Sequence, residues 1–118
     1  MNPKTFDPKA IKDLLGHSNE LIIKVYEEID KGSWPVYEKL IHNYENQNWS
    51  SLKANAHFLK SNFRYLGNLE MFNILKTIEN ISLDETKRVE IPILMDKFSA
   101  SFAQIMSELK EYLIFLKK

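Results

Sequence analysis

The chain has 118 residues, the size of one domain, and its sixteen Lys and Arg balance sixteen Asp and Glu. A formal net charge of zero excludes a chain that as a whole binds nucleic acid or a polyanionic membrane surface. The absence of cysteine excludes disulfide scaffolds, thiol catalysis and thiolate metal sites, and three Gly with four Pro are too few turn formers for a sandwich or barrel.

Helical periodicity dominates the chain. Asp7 reads as an N-cap and Pro8 as the first helical residue of a short helix that turns Ile11, Leu14 and Leu15 inward and ends at Gly16. Ser18 or Asn19 caps a second helix with Leu21, Ile22, Val25 and Ile29 on one face. Gly32 closes it, and Ser33, Trp34 and Pro35 restart a helix carrying Tyr37, Leu40, Ile41 and Tyr44. A polar turn over 46–50 leads into a helix whose apolar positions are Leu52, Ala56, Leu59, Phe63 and Leu66, with Gly67 placed for a left-handed C-cap. Asn68 opens the next helix, with Leu69, Phe72, Leu75 and Ile78 inward. After a short loop over 82–85, a long helix runs from about Lys87, with Pro92 in its first turn. Its inward face is Ile91, Leu94, Phe98, Phe102, Ile105, Leu109, Tyr112 or Leu113, and Leu116.

Short connections place successive helices antiparallel. The pattern predicts a single all-α domain over 1–118, an up-down antiparallel four-helix bundle with a short extra N-terminal helix. The first residues lack the apolar stretch of a signal peptide, and the run at 112–116 is far too short to cross a bilayer. The expectation is a cytoplasmic protein.

The zero charge conceals an imbalance. Between Glu45 and Glu70 lie 24 residues without an acid, holding Lys53, Lys60 and Arg64. The other 94 residues carry 13 bases against 16 acids. The same basic helix carries His57. At about 100° per residue His57 falls almost opposite Leu52, Leu59 and Phe63, on the solvent side. Lys53, Lys60 and Arg64 flank it on one side, and Ala54, Phe58, Ser61 and Tyr65 on the other.

An exposed imidazole between cations has a definite chemistry. Imidazole is a nucleophile near neutral pH and can accept a phosphoryl group on nitrogen and return it, because the phosphoramidate stays energetic. Cations within a turn offset the charge of the transferred group. The missing carboxylates remove repulsion of phosphate and stabilisation of the imidazolium form. Phosphoryl transfer depends chiefly on positioning and electrostatics, so these residues make a minimal half-site.

The stretch Ala56-His57-Phe58-Leu59-Lys60-Ser61, followed by Leu66-Gly67, resembles the signature of histidine-containing phosphotransfer (HPt) domains: Ala-His-x-Leu-Lys, a small residue, and a later Leu-Gly. The polar-aromatic approach over 48–52 and the helix order agree, so the resemblance spans roughly 7–117. It implies a four-helix bundle whose histidine shuttles phosphoryl groups between aspartates of receiver domains, in response regulators and hybrid histidine kinases. By position, His57 is the phosphoacceptor through Nε2 and Lys60 the assisting lysine, with Lys53 and Arg64 as phosphoryl-stabilising cations. Ala54, Phe58, Ser61 and Tyr65 are the receiver-docking flank. No cofactor is expected on this chain, the Mg²⁺ belonging to the receivers, and the expected state is a monomer without nucleic acid or membrane. The family usually has Gly one turn after the histidine; here Ser61 directs a hydroxyl and a Cβ at the partner.

Other function classes are tested by the same residues. An autonomous ATP-dependent kinase needs a phosphate-cradling loop, and Gly16, Gly32 and Gly67 are isolated. A kinase dimerisation helix usually places an acid beside its histidine, where this chain has Phe58. A di-iron bundle needs paired Glu-x-x-His motifs, and none is present, although His42 lies at helical spacing from Glu38 and Glu45. Trp34 and Trp49 read as bundle-end packing. The remaining rival is a non-phosphorylated HPt-like binding module that docks on a receiver or histidine kinase and inhibits it; Ser61 is the feature that keeps it open.

Overall fold

A computed structural model describes residues 1–118. It is entirely helical: α1 (Pro8–Leu15), α2 (Asn19–Glu45), α3 (Trp49–Leu66), α4 (Leu69–Ile81) and α5 (Ile91–Leu116), the last entered through a single 3₁₀ turn at Arg88–Glu90. No helix is long and apolar enough to cross a membrane. Helices α2 and α4 each pack against both α3 and α5, closing a four-membered ring, and α1 lies across α3 and α2. Antiparallel pairing is read from the side-chain links. Asn43 Nδ2 donates to Asn55 and Asn62 Nδ2 to Ser33 across α2 and α3. Lys110 meets Asp30 and Lys117 meets Glu27 across α5 and α2. This is the bundle with a short N-terminal helix that the periodicity predicts.

The face of α3 agrees with the sequence at every position. Leu52, Ala56, Leu59, Phe63 and Leu66 are fully buried, and Phe63 meets Phe98 of α5 edge-on at 5.4 Å between ring centroids. That single apolar stripe fixes the rotation of α3, and the opposite face is thereby presented to solvent.

Two expectations are corrected. The break at Gly32 does not occur: α2 runs unbroken for 27 residues, with Pro35 inside it. Proline at that position forfeits a helix hydrogen bond, and in a helix interior this costs about 3 kcal/mol. Packing on both sides offsets the loss. Ser33 is fully buried and accepts from Asn62, Trp34 meets Phe102 edge-on at 4.8 Å, and Tyr37 stacks on Phe102 at 4.0 Å. Helix stability here comes from tertiary contact rather than propensity. Second, Leu14, Leu21 and Leu69 face outward. All three lie in terminal turns, while the buried stripes run through Ile11 on α1, Ile22 and Tyr26 on α2, and Met71 and Leu75 on α4.

The segment ahead of α1 is part of the fold. Lys4 N, Thr5 N and Thr5 Oγ1 all donate to Glu108 Oε1, at 2.7, 2.7 and 2.9 Å. Phe6 is buried between Tyr26 and Tyr112 in edge-on contacts. Asp7 N donates to Leu66 O, and Asn68 Nδ2 to Thr5 O. This strap seats α1 on the C-terminus of α3. Gly67 makes the close approach possible. It is left-handed, with φ +70°, and its N–H and that of Asn68 return to Arg64 O and Phe63 O as a Schellman cap. A Cβ there would lie 2.6 Å from Ala10 Cβ and 3.0 Å from Asp7 O.

Candidate functional site: His57 on the exposed face of α3

Burial of the Leu52–Leu66 stripe puts His57 outward, with 66% of its side chain exposed. The ring is nevertheless held. Nδ1 lies 2.6 Å from Oε2 of Glu79, a residue of α4, and Oε1 of the same carboxylate accepts from Lys60 Nζ at 2.6 Å. Glu79 is 15% exposed and Lys60 21%, so the bridge sits under the imidazole in the groove between α3 and α4.

A carboxylate only accepts, so Nδ1 carries the hydrogen and donates it. In the neutral ring the lone pair is then on Nε2, which has no protein partner. Glu79 thus selects one tautomer and one nucleophilic nitrogen, as the buried carboxylate does in other histidine-based sites. Burial alone would raise the Glu79 carboxyl, but hydrogen bonds from Lys60 and His57, reinforced by their charges, outweigh it and hold the carboxyl below its ordinary range.

This corrects the inference from the acid-free window. Within α3 no carboxylate is near His57, yet the fold delivers one from the next helix, placed to stabilise an imidazolium and to engage Lys60. Nothing along α3 announces it, because Glu79 belongs to the next helix. The signal was available in the hairpin: His57 precedes Asn68 by 11 residues and Glu79 follows it by 11. In an antiparallel pair joined at Gly67 and Asn68, positions equidistant from the turn lie side by side.

The other residues fall as follows. Lys53 is exposed and makes no ion pair. Ala54, Ser61 and Arg64 are exposed, and Phe58 keeps 49% of its surface in solvent. Tyr65 is half-buried: it packs on the core and also lines a hollow with Ser61, Arg64 and Leu14 of α1. Ser61 therefore borders open space beside His57. His42 turns to Asn46, whose Nδ2 lies 3.4 Å from its Nδ1, and Trp34 and Trp49 are half-buried, the latter beneath the Arg88 guanidinium at 4.8 Å.

The arrangement offers an exposed, oriented imidazole nitrogen with a shielded cation one turn away and no enclosing cleft. It can exchange a small group with a partner that brings its own active site. Comparison with known proteins returns no match: no family model, no curated protein and no solved structure matches the chain.

Proposed function

We propose that this chain is a phosphorelay intermediate of the histidine-containing phosphotransfer type, acting in the cytoplasm as a monomer in two-component signalling. The observation that carries the reading is the 2.6 Å contact of His57 Nδ1 with Glu79 on a ring that is 66% exposed, which leaves Nε2 without a protein partner. The resemblance of residues 56–67 to the HPt signature supports it independently.

In the proposed reaction Nε2 attacks the phosphorus of a receiver's aspartyl phosphate in line. The N–P bond forms as the P–O bond to the aspartate breaks, and the aspartate leaves as carboxylate. Glu79 stabilises positive charge on the ring as the bond forms, and Lys60 offsets charge on the phosphoryl oxygens. A second receiver aspartate reverses the sequence. The receivers supply Mg²⁺; this chain contributes the nucleophile and its orientation and no kinase activity.

The test mixes the protein with a phosphorylated receiver domain and follows label onto His57. Expected is an acid-labile, alkali-stable phosphate in the wild type and none in His57→Ala. Equal labelling of the two proteins overturns the proposal. A receiver that binds without transferring phosphate, and that loses its own phosphoryl-transfer activity on binding, supports the inhibitory binding module instead, the reading that Ser61 keeps open.

A further inference from the structure

The cations of α3 are of two kinds. Lys60 is paired with Glu79, whereas Arg64 forms no ion pair. Arg64 lines a hollow of about 210 Å³ between α1 and α3, with Ser61, Tyr65 and Leu14 as the other walls. One depression is thus lined by residues that carry a guanidinium with five N–H donors and two hydroxyls. None of these side chains makes a side-chain hydrogen bond within the chain, and no wall residue is acidic. Leu14, the exposed leucine of α1, supplies an apolar wall on one side.

Position decides which anion belongs in it. Ser61 and Tyr65 follow His57 by one and two turns, about 6 and 12 Å along the helix axis. The reacting phosphoryl group is bound to Nε2 of His57, so an anion in the hollow is a second, non-reacting one. A standard protein interface buries about 800 Å² per partner, a patch about 16 Å in radius. A domain docked with His57 near the centre of its contact therefore also covers the hollow, and the anion such a surface offers is a carboxylate side chain.

We propose that Ser61, Arg64 and Tyr65 form a specificity subsite that receives an Asp or Glu side chain of the partner exchanging phosphoryl groups with His57. The inference rests on the relay reading above. It gives Ser61 a purpose: the hydroxyl that replaces the family's usual glycine hydrogen-bonds the partner's carboxylate instead of obstructing docking. Arg64 acts as a forked clamp on that carboxylate, and Leu14 and Tyr65 enclose its stem.

The test uses two phosphodonors. One is a phosphorylated receiver domain that transfers to the wild-type chain; the other is phosphoramidate, which has no docking surface. With the receiver, Arg64→Ala is expected to raise KM roughly five- to tenfold with kcat unchanged, and Arg64→Lys to recover only part of it, because an ammonium cannot bind a carboxylate as a fork. Ser61→Ala and Ser61→Gly each raise KM about two- to threefold, the size of one hydrogen bond at a partly exposed site. If Arg64 serves this subsite and not the transferring phosphoryl group, the role its position in the sequence suggests, all four variants react with phosphoramidate like the wild type. An unchanged KM for Arg64→Ala, with transfer intact, overturns the subsite and leaves the relay standing. An equal loss with both donors also overturns it and places Arg64 on the transferring phosphoryl group. A wild-type chain that takes phosphate from no receiver in the panel from which that donor is chosen, and none from phosphoramidate, overturns the relay reading and the subsite with it.

Discussion

Replacing Glu79 with glutamine keeps the side chain's size and removes one of its two acceptors. Both neighbours are donors: Lys60 Nζ on Oε1 and His57 Nδ1 on Oε2, each at 2.6 Å. An amide offers one oxygen and an NH₂ that itself donates. The oxygen goes to Lys60, whose ammonium is largely shielded and is the costlier group to leave unpaired. The NH₂ then faces Nδ1, which can accept only if the ring proton moves to Nε2, the nitrogen required to attack. A hydrogen bond to a charged group is worth about 1.5–3 kcal/mol. His57 is 66% exposed, and solvent screening reduces the figure to about 1–2 kcal/mol. At 1.36 kcal/mol per tenfold, phosphorylation by phosphoramidate should slow by roughly five- to thirtyfold. Initial rates give the loss, and the nitrogen chemical shifts of the His57 ring give the tautomer. A rate within twofold of wild type, or a slowed reaction with Nε2 still unprotonated, would refute the reasoning. The same carboxylate carries a pH signature. Its carboxyl is held below the ordinary range, so its stabilising contribution is complete above that range and is lost as pH falls through the depressed folded-state value. Wild type and Glu79→Gln should accordingly converge in stability at acid pH.

Gly67→Ala should cost about 2–4 kcal/mol, combining a left-handed backbone of about 1–2 kcal/mol with overpacking against Ala10 and Asp7. Urea midpoints at unchanged m measure it, and adding Ala10→Gly should produce a favourable coupling between the two sites, because only the steric part is relieved. Glu108→Ala should release the strap: hydrogen exchange at the Thr5 amide should accelerate at least tenfold, since that amide loses its acceptor, while the His57–Glu79 bond remains.

How much of this was legible in the sequence depended on how far the deciding contact lay along the chain. The face of α3 was fully readable, because five apolar residues at helical spacing determine one another's burial. The exposure of His57 followed from the same stripe. Local propensity at Gly32 and Pro35 points to a break that does not form, because their helix is held by Phe102 of α5, some 70 residues away. Glu79 was missed for a related reason: nothing within α3 announces it, and only the hairpin geometry brings it under His57. Phe6 carried no periodic signal at all, being a single aromatic outside any helix whose socket is assembled by Tyr26 and Tyr112. Ser61 was legible as a departure from a pattern, but its hollow was not, since Leu14 of α1 forms the opposite wall.

The strap also bears on the order in which the molecule folds. Its bonds to Glu108 join residues 104 and 103 positions apart, whereas those of Glu79 to His57 and Lys60 span 22 and 19. Closing a longer loop costs more entropy before any contact repays it. On loop-closure entropy the α3–α4 pairing, with its imidazole–carboxylate pair, is expected to precede the seating of the N-terminal segment. The reverse of that step is an opening that leaves the hairpin in place. Phe6 leaves its aromatic socket and α1 lifts with Leu14, opening one wall of the hollow, while His57 remains oriented on Glu79.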